Sequence, residues 1–246
     1  MRLAIVCVEC AKRLAGWVAP LNFQRVEVRD DSCYEVTCVQ GHKSTILLQE
    51  QKFEVLFDIG ANAIIDGYYR DAVSSFTSSM ERFFEFATHV FILRDTKSEE
   101  VFTECWKLVS SQSERQLGSF IFQWASHYGE KPQLLDRGST EFRNEVIHKG
   151  KIPLKEEAEK YGQSVLDVVR PKLLRIRNDF SEEIINLTLD HLSRVKSKTS
   201  ASLVTTMSIP TIISINIEEP SFQQRSLAEH LSELREQRKR LGEGNA

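Results

Sequence analysis

From Phe53 to Phe91 the apolar residues of this chain fall at steps of three and four, and that spacing restricts its centre to helices packed against one another. Phe53, Leu56, Phe57, Gly60, Ala61, Ile64 and Ile65 make one stripe, and Ala72, Val73, Phe76, Met80, Phe83, Phe84, Ala87, Val90 and Phe91 make a second. Residues 52–93 are therefore expected as one long kinked helix or a close pair, interrupted at Asp66-Gly67-Tyr68-Tyr69, with the aromatics as core. Val101, Phe102, Trp106 and Val109, then Leu117, Phe120, Ile121, Trp124 and Ala125, predict two shorter helices. Gly129 to Pro132 is a loop. A segment from Leu134 to His148 must stop at Gly150 and Pro153, and Leu154 to Val169 gives a further helix facing inward through Ala158, Tyr161, Val165, Val168 and Val169. Pro171 marks a break before the pattern resumes between Leu173 and Leu192. Short connections favour antiparallel neighbours, so the fold class is mainly α, an antiparallel helical bundle.

The first fifty residues follow another period. Leu3 to Cys7 reads as a strand, and Val26-Glu27-Val28 and Tyr34-Glu35-Val36-Thr37 alternate like two strands around a turn at Arg29 to Ser32. Cys7-Val8-Glu9-Cys10 is a C-x2-C knuckle, and Cys38 with His42 supplies a second pair that such a hairpin would carry back to the first. Cys7, Cys10, Cys38 and His42 suit a structural zinc ion, and a segment this small has little core to hold it together without metal. Cys33 with Cys38 is the alternative second pair. Cys38 and His42 are preferred because Gly41 permits the tight turn a knuckle needs, while Cys33 sits at a hairpin tip. Four reduced cysteines without metal remain the other reading. Five cysteines, four of them within the first 38 residues, are too few and too uneven for a disulfide scaffold. Closed coordination would leave no open position for chemistry.

Beyond the bundle, Ser193 to Ser202 reads as a polar linker. Leu203 to Ile217 is rich in β-branched residues and predicts one strand, or two interrupted at Pro210, that must pair with the ribbon hairpin or with its copy in a second subunit. Ser226-Leu227-Ala228-Glu229 opens a capped helix carrying Leu227, Leu231, Leu234 and Leu241 and ending in Arg235, Arg238, Lys239 and Arg240. The expected domains are a zinc ribbon over 1–50, the helical bundle over 51–192 and a C-terminal β segment with a helix over 193–246. A net charge of -3 argues against coating nucleic acid through bulk charge, so any such contact must be local. No apolar run approaches the roughly 18 residues that span a bilayer, and the apolar start lacks a signal-peptide cleavage site, so no membrane partner and a cytoplasmic location are expected.

One polar stretch in the bundle is unlike the rest: Glu141-Phe142-Arg143-Asn144-Glu145-Val146-Ile147-His148-Lys149-Gly150. Asn144 and His148 share a helical face, whereas Arg143 and His148 diverge by about 140°. A second copy of the segment would close that gap. Lys149 and Lys151, with Lys107, Arg115 and Arg137, suit a phosphate-binding rim, though an ordinary solvated face explains them equally well. Arg143 pairing with Glu141 or Glu145, and a histidine favoured by the helix dipole, would account for the stretch without chemistry. Glu81 and Glu85 are either supporting carboxylates or ion-pair partners. His89 reads as a core or boundary residue, and His127 and His191 have no assigned partner.

Arg143 to His148 resembles the Arg-x(4–6)-His motif of the HEPN domains, with Asn144 as the polar residue that often follows the arginine. The resemblance extends to Gly67-Tyr68-Tyr69-Arg70-Asp71-Ala72-Val73, to Met80-Glu81-Arg82-Phe83 and to Lys149-Gly150-Lys151-Ile152-Pro153, and covers roughly residues 52 to 180. It implies a metal-independent endoribonuclease whose two motifs face each other in a homodimer formed through the helical bundle. His148 would then manage the 2′-hydroxyl proton, Arg143 would meet the phosphate, and Asn144 would orient the histidine or bond a phosphate oxygen. The products would be a 2′,3′-cyclic phosphate and a 5′-hydroxyl. The implied partners are RNA, transfer RNA among the candidates, and a regulatory protein, in a toxin or anti-phage effector. Competing readings are a non-catalytic HEPN sensor or scaffold, and a zinc-ribbon nucleic-acid-binding protein with a helical dimerisation core.

Overall fold

The computed structural model describes residues 1–13, 23–199, 201, 204–217 and 219–240, with the backbone alone described for 11–13 and 23. Ser200, Ser202, Leu203 and Leu241, on which parts of the expected linker, strand and last helix fall, lie outside the described residues. The protein is mainly α, as its periodicity predicts. The chain divides into two compact units, Met1–Glu50 with Ile185–Ile209, and Gln51–Ile184 with Pro210–Ala246. The division after residue 50 falls where the sequence places it, whereas the one at 192 does not: Ile185–Ile209 belongs with the first unit and Pro210–Ala246 with the second.

In the first unit β1 (Arg2–Val6) pairs antiparallel with β2 (Phe23–Glu27), and α1 (Val8–Arg13) follows β1. β3 (Cys33–Thr37) pairs antiparallel with β4 (Lys43–Leu48), and β5 (Val204–Met207) adds to β4 in parallel. The expected hairpin between Val26–Val28 and Tyr34–Thr37 therefore does not form: β2 takes β1 as its partner and β3 takes β4. Lys43–Leu48 carries no alternating signal in the sequence, because Ser44 to Leu48 are all buried. That is the pattern of a strand covered on both faces. The C-terminal strand finds its partner within the chain, but that partner is β4, which was not part of the expected hairpin. The buried carboxylate of Glu50 fixes the exit of β5, accepting from Ser208 Oγ at 2.6 Å and Ile209 N at 2.7 Å.

The second unit contains α2 (Lys52–Ile65), α3 (Tyr69–Thr96), α4 (Glu99–Val109), α5 (Ser113–Tyr128), α6 (Arg137–His148), α7 (Lys155–Asp179), the short α9 (Pro220–Gln223) and α10 (Leu227–Arg240). α8 (Ser181–Lys196) begins in this unit and ends in the first. Gly67, at φ 81°, ends the first apolar stripe, so residues 52–93 form a pair of helices. α3 is the central helix, and Phe76 is one of its fully buried side chains. A Cβ on Gly60 of α2 would lie 2.7 Å from the Phe76 ring, and one on Gly162 of α7 would lie 2.6 Å from the ring and 2.7 Å from Leu227 of α10. Two glycines thus admit one aromatic ring between three helices.

α7 runs through Pro171 without stopping, in contrast to the expected break. The proline removes one helical hydrogen bond, at a cost of about 3 kcal/mol. Val165, Val169, Leu173 and Ile176 nevertheless keep one apolar face in phase across it, all at most 1% exposed. Burying Leu173 and Ile176 is worth roughly 1.5–3 kcal/mol each, enough to outweigh the proline.

Residues 211–215 are buried but form no strand, contrary to the β-branched pattern. Charged side chains take the place of a partner strand. Ile212 N donates to Asp58 Oδ1 at 3.0 Å and Ile215 N to Glu54 Oε1 at 2.9 Å, both acceptors on α2. From α7, Arg177 donates to Ile217 O at 2.9 Å. Arg170 donates to the carbonyls of Ile212, Gln223 and Arg225 at 3.2, 3.0 and 2.6 Å, and to His230 Nε2 at 2.9 Å. α10 then begins as predicted, with Ser226 Oγ accepting from Glu229 N while the Glu229 carboxylate accepts from Ser226 N.

Two outcomes follow from this packing. Gly162→Ala should lower stability by about 1–3 kcal/mol in denaturant unfolding, because neither the Phe76 ring nor its backbone can withdraw. His230, 4% exposed, must stay neutral to accept from Arg170; burial first, then the charges of Arg170 and Arg225 against the opposing Glu229, push its pKa down to about 4. The unfolded chain binds this proton near pH 6.5 and the folded one does not, so stability falls as pH drops from about 6.5 to 4 and this contribution levels off below. The loss approaches about 3 kcal/mol, and pH-dependent unfolding of His230→Gln should show a correspondingly shallower slope over that range.

Candidate active site and metal centre

In the first unit the turn between β3 and β4 brings the four expected ligands together. Cys38 N donates to His42 O at 3.0 Å and Gly41 N to Cys38 O at 2.8 Å, with Gly41 at φ 79° supplying the left-handed residue this closure needs. Cys7 and Cys10 enter from the end of β1 and the start of α1. His42 Nδ1 lies 3.4 Å from Cys10 Sγ, 3.5 Å from Cys38 Sγ and 3.8 Å from Cys7 Sγ, and the Cys10 and Cys38 sulfurs are 3.7 Å apart. All four ligand atoms fall within 4.8 Å of one another, and the three cysteines are buried. They form a possible metal site. Burial, reinforced by the Cys7 and Cys38 thiols, pushes the Cys10 pKa up to about 11. Burial also raises that of Cys38, but the backbone N–H groups of Gln40 and His42 and the two neighbouring thiols outweigh it and lower the value to about 6. Cys33 is outside the cluster and lines a cavity of about 720 Å³ with Arg29, Asp31, Tyr34 and Lys198.

In the second unit α6 is positioned by its two ends. Asp136 caps the start, accepting from Ser139 N at 2.9 Å and Ser139 Oγ at 2.8 Å; these bonds hold its carboxyl below the usual range. At the other end Lys149 N and Lys151 N both donate to Glu145 O at 3.1 Å, and Gly150 at φ 74° turns the chain away. Val146 is the helix's one fully buried residue and sets which face meets α3 and α7.

That orientation turns Arg143 inward and leaves His148 exposed. Arg143 Nη2 donates to Glu81 Oε1 of α3 at 2.9 Å, and Nη1 to Asn144 Oδ1 at 3.0 Å. Neither Glu141 nor Glu145 is its partner: Glu141 pairs with Arg137 at 2.7 Å and Glu145 with Lys151 at 3.2 Å. Two of the five guanidinium N–H donors are thereby used, which leaves donors for a ligand. Lys149 is exposed, whereas Lys151 is held between Glu145 and Glu157 and over the Phe142 ring at 4.9 Å. Glu85 pairs with Arg82, which also donates to Gln116 at 2.7 Å, so of the two candidate carboxylates Glu81 alone meets Arg143.

The remaining histidines have structural partners. His89 lies 2.6 Å from Glu99, His127 3.3 Å from Asp95 and His191 3.1 Å from the Leu48 carbonyl oxygen. Lys107 pairs with Glu104 at 2.7 Å. Tyr161, assigned to the core from its stripe, is also close to the site: its ring is 5.7 Å from that of Phe142, and its hydroxyl is 2.8 Å from Thr77 Oγ1. Thr77 Oγ1 donates to Val73 O, so the phenol donates to Thr77. A tyrosine where the stripe needs only an apolar ring was the available signal. No helix of the described residues is long and apolar enough to cross a membrane. No family model, no curated protein and no solved structure matches the chain.

Proposed function

We propose that the second unit is a metal-independent endoribonuclease of HEPN type, its site shared across a homodimer, and that the first unit carries a structural zinc ion. The observation that carries the nuclease reading is Arg143: a partly buried guanidinium held by Glu81 and Asn144 with donors to spare, on the same short helix as an exposed imidazole. RNA cleavage by 2′-hydroxyl attack requires a proton acceptor and a fixed cation where negative charge builds on the phosphate. The two side chains diverge around α6 by about 140°, so within one helix they do not converge on one phosphate. Opposing a second copy gives each His148 an Arg143 from its partner. Lys149 extends the cationic rim, and Lys151 does so only by leaving its two glutamates. A toxin or anti-phage role, restrained by a regulatory protein, fits an activity that damages its own cell.

The Arg143–Glu81 ion pair also favours a second reading, in which the arginine pins α6 to α3 and the domain is a non-catalytic sensor or scaffold. One experiment separates the two. Purified protein in excess EDTA should cut total RNA or transfer RNA to leave 2′,3′-cyclic phosphates, and Arg143→Ala and His148→Ala should each reduce the rate by about 10²–10⁴. Equal silence from wild type and variants, with the dimer intact, would support the scaffold.

Zinc is the metal that fits the first unit. Bonds of about 2.3 Å to sulfur and about 2.0–2.1 Å to nitrogen give tetrahedral edges of about 3.8 Å between sulfurs and about 3.6 Å from sulfur to nitrogen. Four of the six edges, the 3.7 Å Cys10–Cys38 sulfur separation and the 3.4, 3.5 and 3.8 Å sulfur–nitrogen distances, are close to those values, and the other two are at most 4.8 Å. Wild type and Cys33→Ser should each retain one zinc per chain by elemental analysis, and Cys38→Ser should lose it. Loss of zinc in Cys33→Ser would reassign the ligand set.

A further inference from the structure

We propose that the crevice between α6 and the first half of α7 is a nucleobase subsite and that guanine is the base it fits; this rests on the RNA-cleaving reading of α6. The crevice has a volume of about 250 Å³ and is lined by Asp136, Ser139, Phe142, Glu157, Lys160 and Tyr161. That is below the roughly 300–1,000 Å³ of sites for drug-sized ligands, and suits a single heterocycle.

Its position follows from helical spacing. Ser139, Phe142, Arg143 and Val146 are separated by three, one and three residues, so they share the face of α6 that turns towards α3 and α7. Ser139 precedes Arg143 by one turn, about 6 Å along the axis. Tyr161 ties the crevice to the arginine, because its hydroxyl lies close enough to feel the charges of both Arg143 and Glu81. A phosphate bound at Arg143 would bring a neighbouring base to this wall.

The chemistry of the lining selects the ligand. Phe142, half-buried, presents its ring to the crevice with the buried Tyr161 packed behind it, and base–aromatic stacking is a main source of affinity for single-stranded RNA. Asp136, Glu157 and Lys160 put two carboxylates and an ammonium on the lining, and Lys151, paired with Glu157 at 3.0 Å, offsets one of the carboxylates, so the crevice carries little net charge and suits an uncharged polar base. Asp136 accepts from Ser139 N and Ser139 Oγ, and Glu157 from Leu154 N and the Lys151 ammonium; a carboxylate has about four acceptor sites, so each keeps some beyond these two bonds. The exposed Lys160 ammonium makes no ion pair among the described residues. The crevice therefore offers acceptors beside a cationic donor. Guanine alone among the four bases places two adjacent N–H donors, on N1 and N2, next to a carbonyl oxygen. Uracil has no amino group, and adenine has no carbonyl oxygen.

Titration of the full chain with guanosine 5′-monophosphate and uridine 5′-monophosphate, followed by calorimetry, tests the subsite directly. The guanine nucleotide should bind about tenfold more tightly than the uracil one, and Phe142→Leu and Lys160→Met should each remove most of that difference. Lys160 is exposed, so its variant keeps the test informative if Phe142→Leu fails to fold. Equal affinity for the two nucleotides, or a preference unchanged in Lys160→Met, overturns the proposal. Mapping of RNA cuts separates it from the nuclease reading. Wild-type cuts should cluster next to guanine and spread over all bases in Lys160→Met. Cutting that depends on His148 but ignores base identity overturns the subsite and leaves the nuclease; Lys160-dependent guanine binding without any cutting keeps the subsite and overturns the nuclease.

Discussion

The second unit depends on Phe76, which fills the space left by two missing side chains. A Cβ on Gly60 of α2 or on Gly162 of α7 would come within 2.7 Å of the ring, too close to be accommodated without movement. A close approach of this kind fixes the relative rotation of three helices, because turning any of them by one residue would bring a side chain against the ring. The orientation of α6 follows from that frame: Val146 docks against α3 and α7, and its neighbour on the same face, Arg143, meets Glu81. The geometry of the candidate site is thus set by apolar packing one layer below it.

The C-terminal segment is held by a different force. Its isoleucines are buried as a strand's would be, yet its backbone bonds to carboxylates on α2 and guanidinium groups on α7. Bonds with a charged partner are about twice as strong as neutral ones, but the ions must give up water to form them. Arg170 makes the balance visible. It donates to three carbonyls and a neutral imidazole, and burial pushes its pKa down to about 10. Such an arrangement specifies one seat for the segment, because carbonyl positions must match a rigid fork. A hydrophobic groove alone would tolerate a shifted register.

Local features were legible in the sequence where the signal and its cause lie within a few residues. The stop at Gly150, the turn at Gly41, the capping box of Ser226 and Glu229 and the interruption at Gly67 are of this kind. The four-ligand cluster was readable because its spacing restricts which atoms can meet. The partners of strands were not. β5 pairs with β4 across an insertion that includes most of the helical unit, and nothing local in Val204–Met207 names that partner. Pro171 misled for the opposite reason: its local cost is real, but the apolar face that outweighs it extends a full turn beyond. Residues 211–215 carried strand propensity into a place where the available partners were side chains. Propensity describes what a backbone favours, and tertiary contacts decide what it receives.

The Arg143–Glu81 pair works against phosphate binding in the ground state, since a carboxylate beside a guanidinium cancels part of its field. The balance changes once charge moves during a reaction. An arginine with one edge anchored holds its free N–H groups in fixed directions and reorganises little when negative charge grows on a phosphoryl oxygen. A mobile arginine would bind the ground state as well as the transition state, which lowers KM without raising kcat. On the nuclease reading, Glu81 therefore trades affinity for orientation as a positioning residue, and Asn144 reinforces it from the same helix. On the scaffold reading the same pair is an interhelical tie between partly exposed ions, worth about 1 kcal/mol or less. What separates the readings is consequently whether the anchored cation has a partner imidazole to work with, and that depends on how a second copy of α6 approaches the first.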